Sequence, residues 1–135
     1  METNQESRNM ITFPEGLLGF EEIHKYRLFH EDEENVLWSL TAANEDQIPS
    51  FIVMDPFTIC EEYNPQISPK DLEQLGNPQP ENLCFLVIAV IRTPLSDSVA
   101  NLKAPIVINI ATQLAKQVIL EDAAYPLRYR LFDSR

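Results

Sequence analysis

Eight consecutive apolar residues, Cys84-Phe85-Leu86-Val87-Ile88-Ala89-Val90-Ile91, constrain the fold more than any other stretch of the chain. The run is rich in β-branched side chains and is apolar on both faces of an extended backbone. Such a segment predicts a central strand buried from both sides. No apolar run in the chain is long enough to cross a bilayer as a helix.

The segments around it read as further strands. Met10 to Phe13 is a short strand stopped by Pro14. Gly16 and Gly19 bracket Leu17-Leu18 in a tight turn. One helical turn is expected over Glu21 to Lys25. Tyr26 to Phe29 and Val36 to Thr41 flank the acidic run Glu31-Asp32-Glu33-Glu34-Asn35, the pattern of a hairpin with a long loop. Phe51 to Met54 ends at Asp55-Pro56. Pro105 to Ile110 and Gln117 to Leu120 read as two strands joined by Ala111 to Lys116. Leu127 to Leu131 closes the series with clean alternation.

One stretch reads as a helix. Ser68 is the expected N-cap, Pro69 the first helical residue, and Gly76 the stop. Many short strands with one short helix predict an all-β fold, either a small barrel or packed antiparallel sheets. The expected organisation is a flexible tail over residues 1–9, one domain over 10–132 and a short tail over 133–135. With three glycines in 135 residues, Asn, Asp and Pro are expected to make most turns.

Charge narrows the classes of partner. Ten basic residues face 21 acidic ones, a formal net charge of −11. A field of that sign repels phosphate backbones and suits a basic protein partner. Met1 to Asn9 is polar and acidic, with no apolar signal core, so the expected compartment is the cytoplasm. Cys60 and Cys84 are widely spaced, without a CxxC, and are expected to be buried free thiols.

No catalytic pattern emerges. His24 and His30 are the only histidines, and neither has zinc-ligand spacing. Nucleophile-elbow, dinucleotide and phosphate-loop patterns are missing. Gly16-Leu17-Leu18-Gly19 cannot cradle a phosphate with two leucines at its centre. The sequence therefore predicts no catalytic residue, no metal, no cofactor, no membrane span and no direct nucleic-acid binding.

Three stretches together resemble one family. The first is Ile11-Thr12-Phe13-Pro14-Glu15-Gly16-Leu17-Leu18-Gly19-Phe20-Glu21. The second is Phe51-Ile52-Val53-Met54-Asp55-Pro56, with Tyr63 and the Leu72/Leu75 helix. The third and most specific is Asn101-Leu102-Lys103-Ala104-Pro105-Ile106-Val107-Ile108-Asn109, followed by Lys116 to Leu120. In order and spacing they resemble the FliW family of flagellar assembly factors, from about Ile11 to Leu131. Leu18 departs from the pattern, since many members carry Pro there.

The resemblance implies a β-barrel-like, non-catalytic protein with two competing partners. One is the RNA-binding translational regulator CsrA, whose repression of flagellin translation such a protein relieves. The other is flagellin, which occupies the assembly factor when it accumulates. Asn101, Leu102, Lys103, Ala104 and Pro105 are expected to form part of a partner surface, the alternative being fold-determining turn chemistry; Tyr63 with Asn64 is either an exposed contact or a core aromatic. If the loop is exposed, Leu102→Asp should weaken a partner and spare the fold. Two other classes stay open: a β-barrel holding a small apolar ligand, which the bulky Phe and Ile content argues against, and a hydrolase built on a carboxylate pair.

Overall fold

The structure, a computed structural model, describes residues 9–30, 37–121 and 124–131. Its first four strands run in a meander: β1 (Met10–Thr12), β2 (Lys25–His30), β3 (Leu37–Ala42) and β4 (Ser50–Met54). A short helix, α1 (Pro69–Gln74), precedes the long β5 (Leu83–Val90). Then follow β6 (Val99–Ala100), β7 (Ile106–Asn109), β8 (Leu114–Gln117) and β9 (Tyr129–Arg130).

The sheet runs β4-β3-β2-β1-β8-β7-β5, and β4 also pairs with β5 through Ile52↔Ala89, Val53↔Ile88 and Met54↔Val87. That last pairing closes seven strands into a barrel and removes their free edges. β1 and β8 meet in parallel at Thr12↔Leu114, and the other ladders are antiparallel. β6 and β9 extend the sheet beyond β5.

Alternation sorts the side chains into two cores. Tyr26, Leu40, Leu86, Ile106 and Ile108 point into the barrel with Ile11 and Phe13. Phe13 packs edge-on against Tyr26, ring centres 5.3 Å apart. Val87, Ala89 and Val107 point outward and are covered by Tyr63, Leu75, Leu102 and Leu120. β5 and β7 are therefore packed on both faces, which explains why Cys84 to Ala89 carries no polar alternation. The burial ends before the run does: Val90 and Ile91 are exposed.

Several boundaries differ from the sequence reading. Glu21 to Lys25 forms no helical turn, because Lys25 already pairs with Thr12 and only Ile23 and His24 remain to reach it. The strand expected at Gln117 to Leu120 lies earlier, at Leu114–Gln117. The β7–β8 turn is tighter than expected, with Gln113 in the left-handed region at φ 64°. Beyond β8, the Val118 and Leu120 amides donate singly to the carbonyls of Pro105 (2.9 Å) and Lys103 (2.7 Å). The closing strand shrinks to Tyr129–Arg130. The expected tails, 1–9 and 133–135, lie mostly or wholly outside the described residues. So does the acidic loop Glu31 to Asn35, although its flanks pair antiparallel at His30↔Trp38.

The helix signals hold. The Ser68 hydroxyl accepts the Asp71 amide at 3.1 Å and donates to the Asp71 carboxylate at 3.0 Å. Gly76 follows at φ +87°. Buried Asn109 donates its amide to the Leu75 carbonyl at 2.8 Å, pinning the helix end to the barrel. Lys116 of β8 pairs with Asp71 at 2.7 Å and also donates to Gln74.

Burial pushes the Asp71 carboxyl up, but hydrogen bonds from Lys116 and Ser68 and the charges of Lys116 and Lys70 outweigh it, leaving it below its usual value. A depressed carboxyl stabilises the fold above its unfolded pKa of about 3.9, and that contribution is lost as pH falls through the lower folded value. The melting-temperature gap between wild type and Asp71→Asn should therefore be widest at neutral pH and shrink below about pH 4. A gap independent of pH would show that the pair contributes nothing electrostatic.

Candidate partner-binding surfaces

The Asn101 to Pro105 block forms a tight turn held from three sides. The Asn101 carboxamide oxygen accepts the amides of Lys103 (3.1 Å) and Ala104 (3.0 Å), an Asx turn. The Tyr63 hydroxyl donates to the Leu102 carbonyl at 2.6 Å. The Gln117 side-chain amide donates to the Ala104 carbonyl at 3.2 Å. Leu102 is 1% exposed and Tyr63 3%, and Ala104 and Pro105 are buried as well.

The condition on which Leu102→Asp would spare the fold, an exposed loop, is not met: the Leu102 side chain is buried in the outer core. Tyr63 is likewise a core aromatic: its ring packs edge-on against Tyr125 at 4.7 Å. Its phenol is pushed well above the ordinary range by burial, then by Tyr125 and Cys60, so it stays a hydrogen-bond donor. The Tyr125 hydroxyl accepts the Asn64 amide at 2.8 Å. The structure thus brings the two expected groups together, 63–64 against 101–105. Asn64 is exposed and Asn101 and Lys103 half-buried, with the Lys103 ammonium donating to the Leu120 carbonyl at 3.1 Å.

A second feature lies at one end of the barrel. At the far end the loop after β1 turns back on itself: Leu17 is buried against Phe13, and Phe20 packs edge-on against Phe51 at 5.7 Å. At the opposite end lies a cavity of about 560 Å³, walled among the described residues by Ile11, Leu28, Trp38, Ile108 and Ile110. Asn9, His30 and Gln113 supply polar groups, and Cys84 completes the wall. The His30 ring lies over Trp38, centres 3.9 Å apart.

Both thiols are free and half-buried, more open than the sequence suggested. Burial, followed by the charge of Asp55, pushes the Cys84 thiol up, so the wall it forms is neutral. The mouth escaped the sequence reading because its residues come from six separate segments. The available signal was strand parity, which puts His30, Trp38, Cys84 and Ile110 on the inward face near strand ends.

Among the described residues, no group of three or more His, Cys, Asp or Glu could hold a metal. No described helix is long and apolar enough to cross a membrane.

Comparison with known proteins agrees with this architecture. The model of a family described as "FliW protein" matches residues 1–131. The flagellar assembly factor FliW of Syntrophus aciditrophicus is 40% identical over 128 residues, covering 94% of this chain and 80% of the relative. That of Clostridioides difficile is 36% identical over 121 residues, covering 90% and 92%. A crystal structure of the flagellar assembly factor FliW superposes with a TM-score of 0.87 at 31% identity, over 95% of this chain and 89% of that one. Barrel, turn chemistry and family match all run through the same residues, and the chain belongs to the FliW family of flagellar assembly factors.

Proposed function

We propose that this chain works in the cytoplasm as a non-catalytic regulator that binds the translational regulator CsrA and, in competition with it, flagellin. The observation that carries the reading is the match to FliW over residues 1–131. A formal charge of −11 supports a basic partner. In this reading the Tyr63–Leu102 clamp is a scaffold, and the contact surface around it is what stays accessible: Asn64, Asn101 and Lys103.

An RNA-binding regulator carries a basic surface, and an acidic barrel docked on it lowers the local affinity for RNA by like-charge repulsion. The test is the affinity of a CsrA-type regulator for its RNA across a salt series, with and without this protein. Inhibition should be strong at about 50 mM salt and several-fold weaker at about 200 mM, where the Debye length has roughly halved. Inhibition that holds its strength across the series would rule out the charge mechanism.

A further inference from the structure

We infer that the end of the barrel opposite the Trp38 cavity is a docking surface for a cationic amphipathic segment of a protein partner, which lays its apolar face on Phe20, Ile48 and Val90. This rests on the partner-binding reading above and adds a location to it.

Topology brings the three residues to one end. β2 and β4 begin there, and β1, β3 and β5 end there. The loops 13–24, 43–49 and 91–98 all emerge from it, and every residue in them is described. Phe20 packs on Phe51, ring centres 5.7 Å apart. The register Ile52↔Ala89 sets Val90 level with Phe51, and strand parity turns both toward the barrel axis.

Loops are ordinarily polar, and these are not. Of eleven large apolar side chains exposed among the described residues, six stand at this end: Leu18, Phe20, Ile48, Val90, Ile91 and Leu95. Ile48 is the most exposed of them at 66%, and a clamped turn presents it. The Asn44 carboxamide donates to the Ile48 carbonyl at 2.9 Å and accepts its amide at 3.2 Å. An apolar group preset in this way needs little ordering when a partner covers it.

Charge selects the occupant. Loops 13–24 and 43–49 carry Glu15, Glu21, Glu22, Glu45 and Asp46, all exposed, and no Lys or Arg. Loop 91–98 adds Arg92 and Asp97, which cancel, and Lys25 stands at the start of β2. Glu15 is partly offset by Lys116 at 3.8 Å. The Glu21 carboxylate accepts the Gly19 amide at 3.0 Å beside Phe20, and that bond holds it below the usual carboxylate range. A fixed negative charge therefore borders the apolar patch. A basic segment meets a complementary field, whereas a second copy of this chain would bring the same carboxylates and be repelled. The Asn101 amide donates to the Ile88 carbonyl at 2.9 Å, two residues before Val90, so this end adjoins the contact surface proposed above.

The experiment measures the affinity of a CsrA-type regulator for the full chain by titration calorimetry, with thermal unfolding of each variant as the check on folding. Ile48→Ser and Val90→Ser test the patch independently, so one remains if the other disturbs its turn or strand end. Phe29→Ser, 41% exposed on the outer face of β2, is the control. Each patch variant should weaken binding at least about fivefold, and the control by no more than about twofold. The double variant Glu45→Gln/Asp46→Asn should bind several-fold more weakly than wild type at about 50 mM salt and converge on it at about 200 mM. Patch variants that bind like the control would overturn the inference alone. A double variant that matches wild type at low salt would overturn the cationic assignment. Dimerisation of wild type that Ile48→Ser abolishes would give the patch to a second copy and overturn the partner assignment. Failure of the regulator to bind wild type would bring down the partner-binding reading, and this inference with it.

Discussion

Leu102→Asp is expected to unfold the chain. Leu102 sits in the outer core at 1% exposure, between the barrel wall and Leu120. The substitution removes a buried leucine and puts an unpaired carboxylate in its place. Together these should cost about 4 kcal/mol or more, against a typical total stability of ~5–15 kcal/mol. Tyr63→Phe makes a graded control. It keeps the ring and deletes the donor to the Leu102 carbonyl, which should cost about 1–3 kcal/mol for an unsatisfied buried acceptor. Urea unfolding of the two variants checks both. A Leu102→Asp variant within ~0.5 kcal/mol of wild type would mean the loop is exposed after all.

Gly16→Ala is expected to be the second most damaging single change. Gly16 has φ +71°, and a Cβ there would lie 2.5 Å from the Glu21 Cα and 2.7 Å from its carbonyl carbon. Both clashing atoms are backbone, so no rotamer change relieves them. The left-handed conformation costs about 1–2 kcal/mol for a non-glycine residue, and overpacking adds about 1–3 kcal/mol. Gly19 supplies the contrast: it has φ +87°, but an added Cβ meets nothing within 4 Å. Gly19→Ala should lose only the conformational part, about 1–2 kcal/mol. The ordering of the two alanine variants in thermal unfolding is the check. Equal losses would show that the Gly16–Glu21 approach does not constrain this loop.

How much of this was legible beforehand depended on whether the signal was local. The apolar run from Cys84 marked β5 because no solvated strand could carry it. Ser68, Pro69 and Gly76 marked α1 because capping chemistry is written within a few residues. The closure of β4 on β5 carried no such mark. It is a pairing between segments more than 30 positions apart, set by the curl of the whole sheet. The short β6 escaped notice because two residues carry no periodicity.

The site divided along the same line. The sequence singled out Asn101 to Pro105 and Tyr63 separately, and the Asx turn explains the first asparagine. What it could not show was the Tyr63–Leu102 hydrogen bond, 39 residues apart, which turns the block inward. The expectation of a filled interior was half right: Phe13, Tyr26 and Leu40 fill the middle. Near Trp38 the inward residues at the strand termini line a cavity instead.

The proposed function requires that the acidic barrel hold one protein at a time. The most direct measurement is analytical ultracentrifugation of a preformed complex with a CsrA-type regulator while flagellin monomer is titrated in. The prediction is stepwise release of the regulator as a flagellin complex forms. A stable ternary species containing all three proteins, or a barrel that sediments alone throughout, would contradict it.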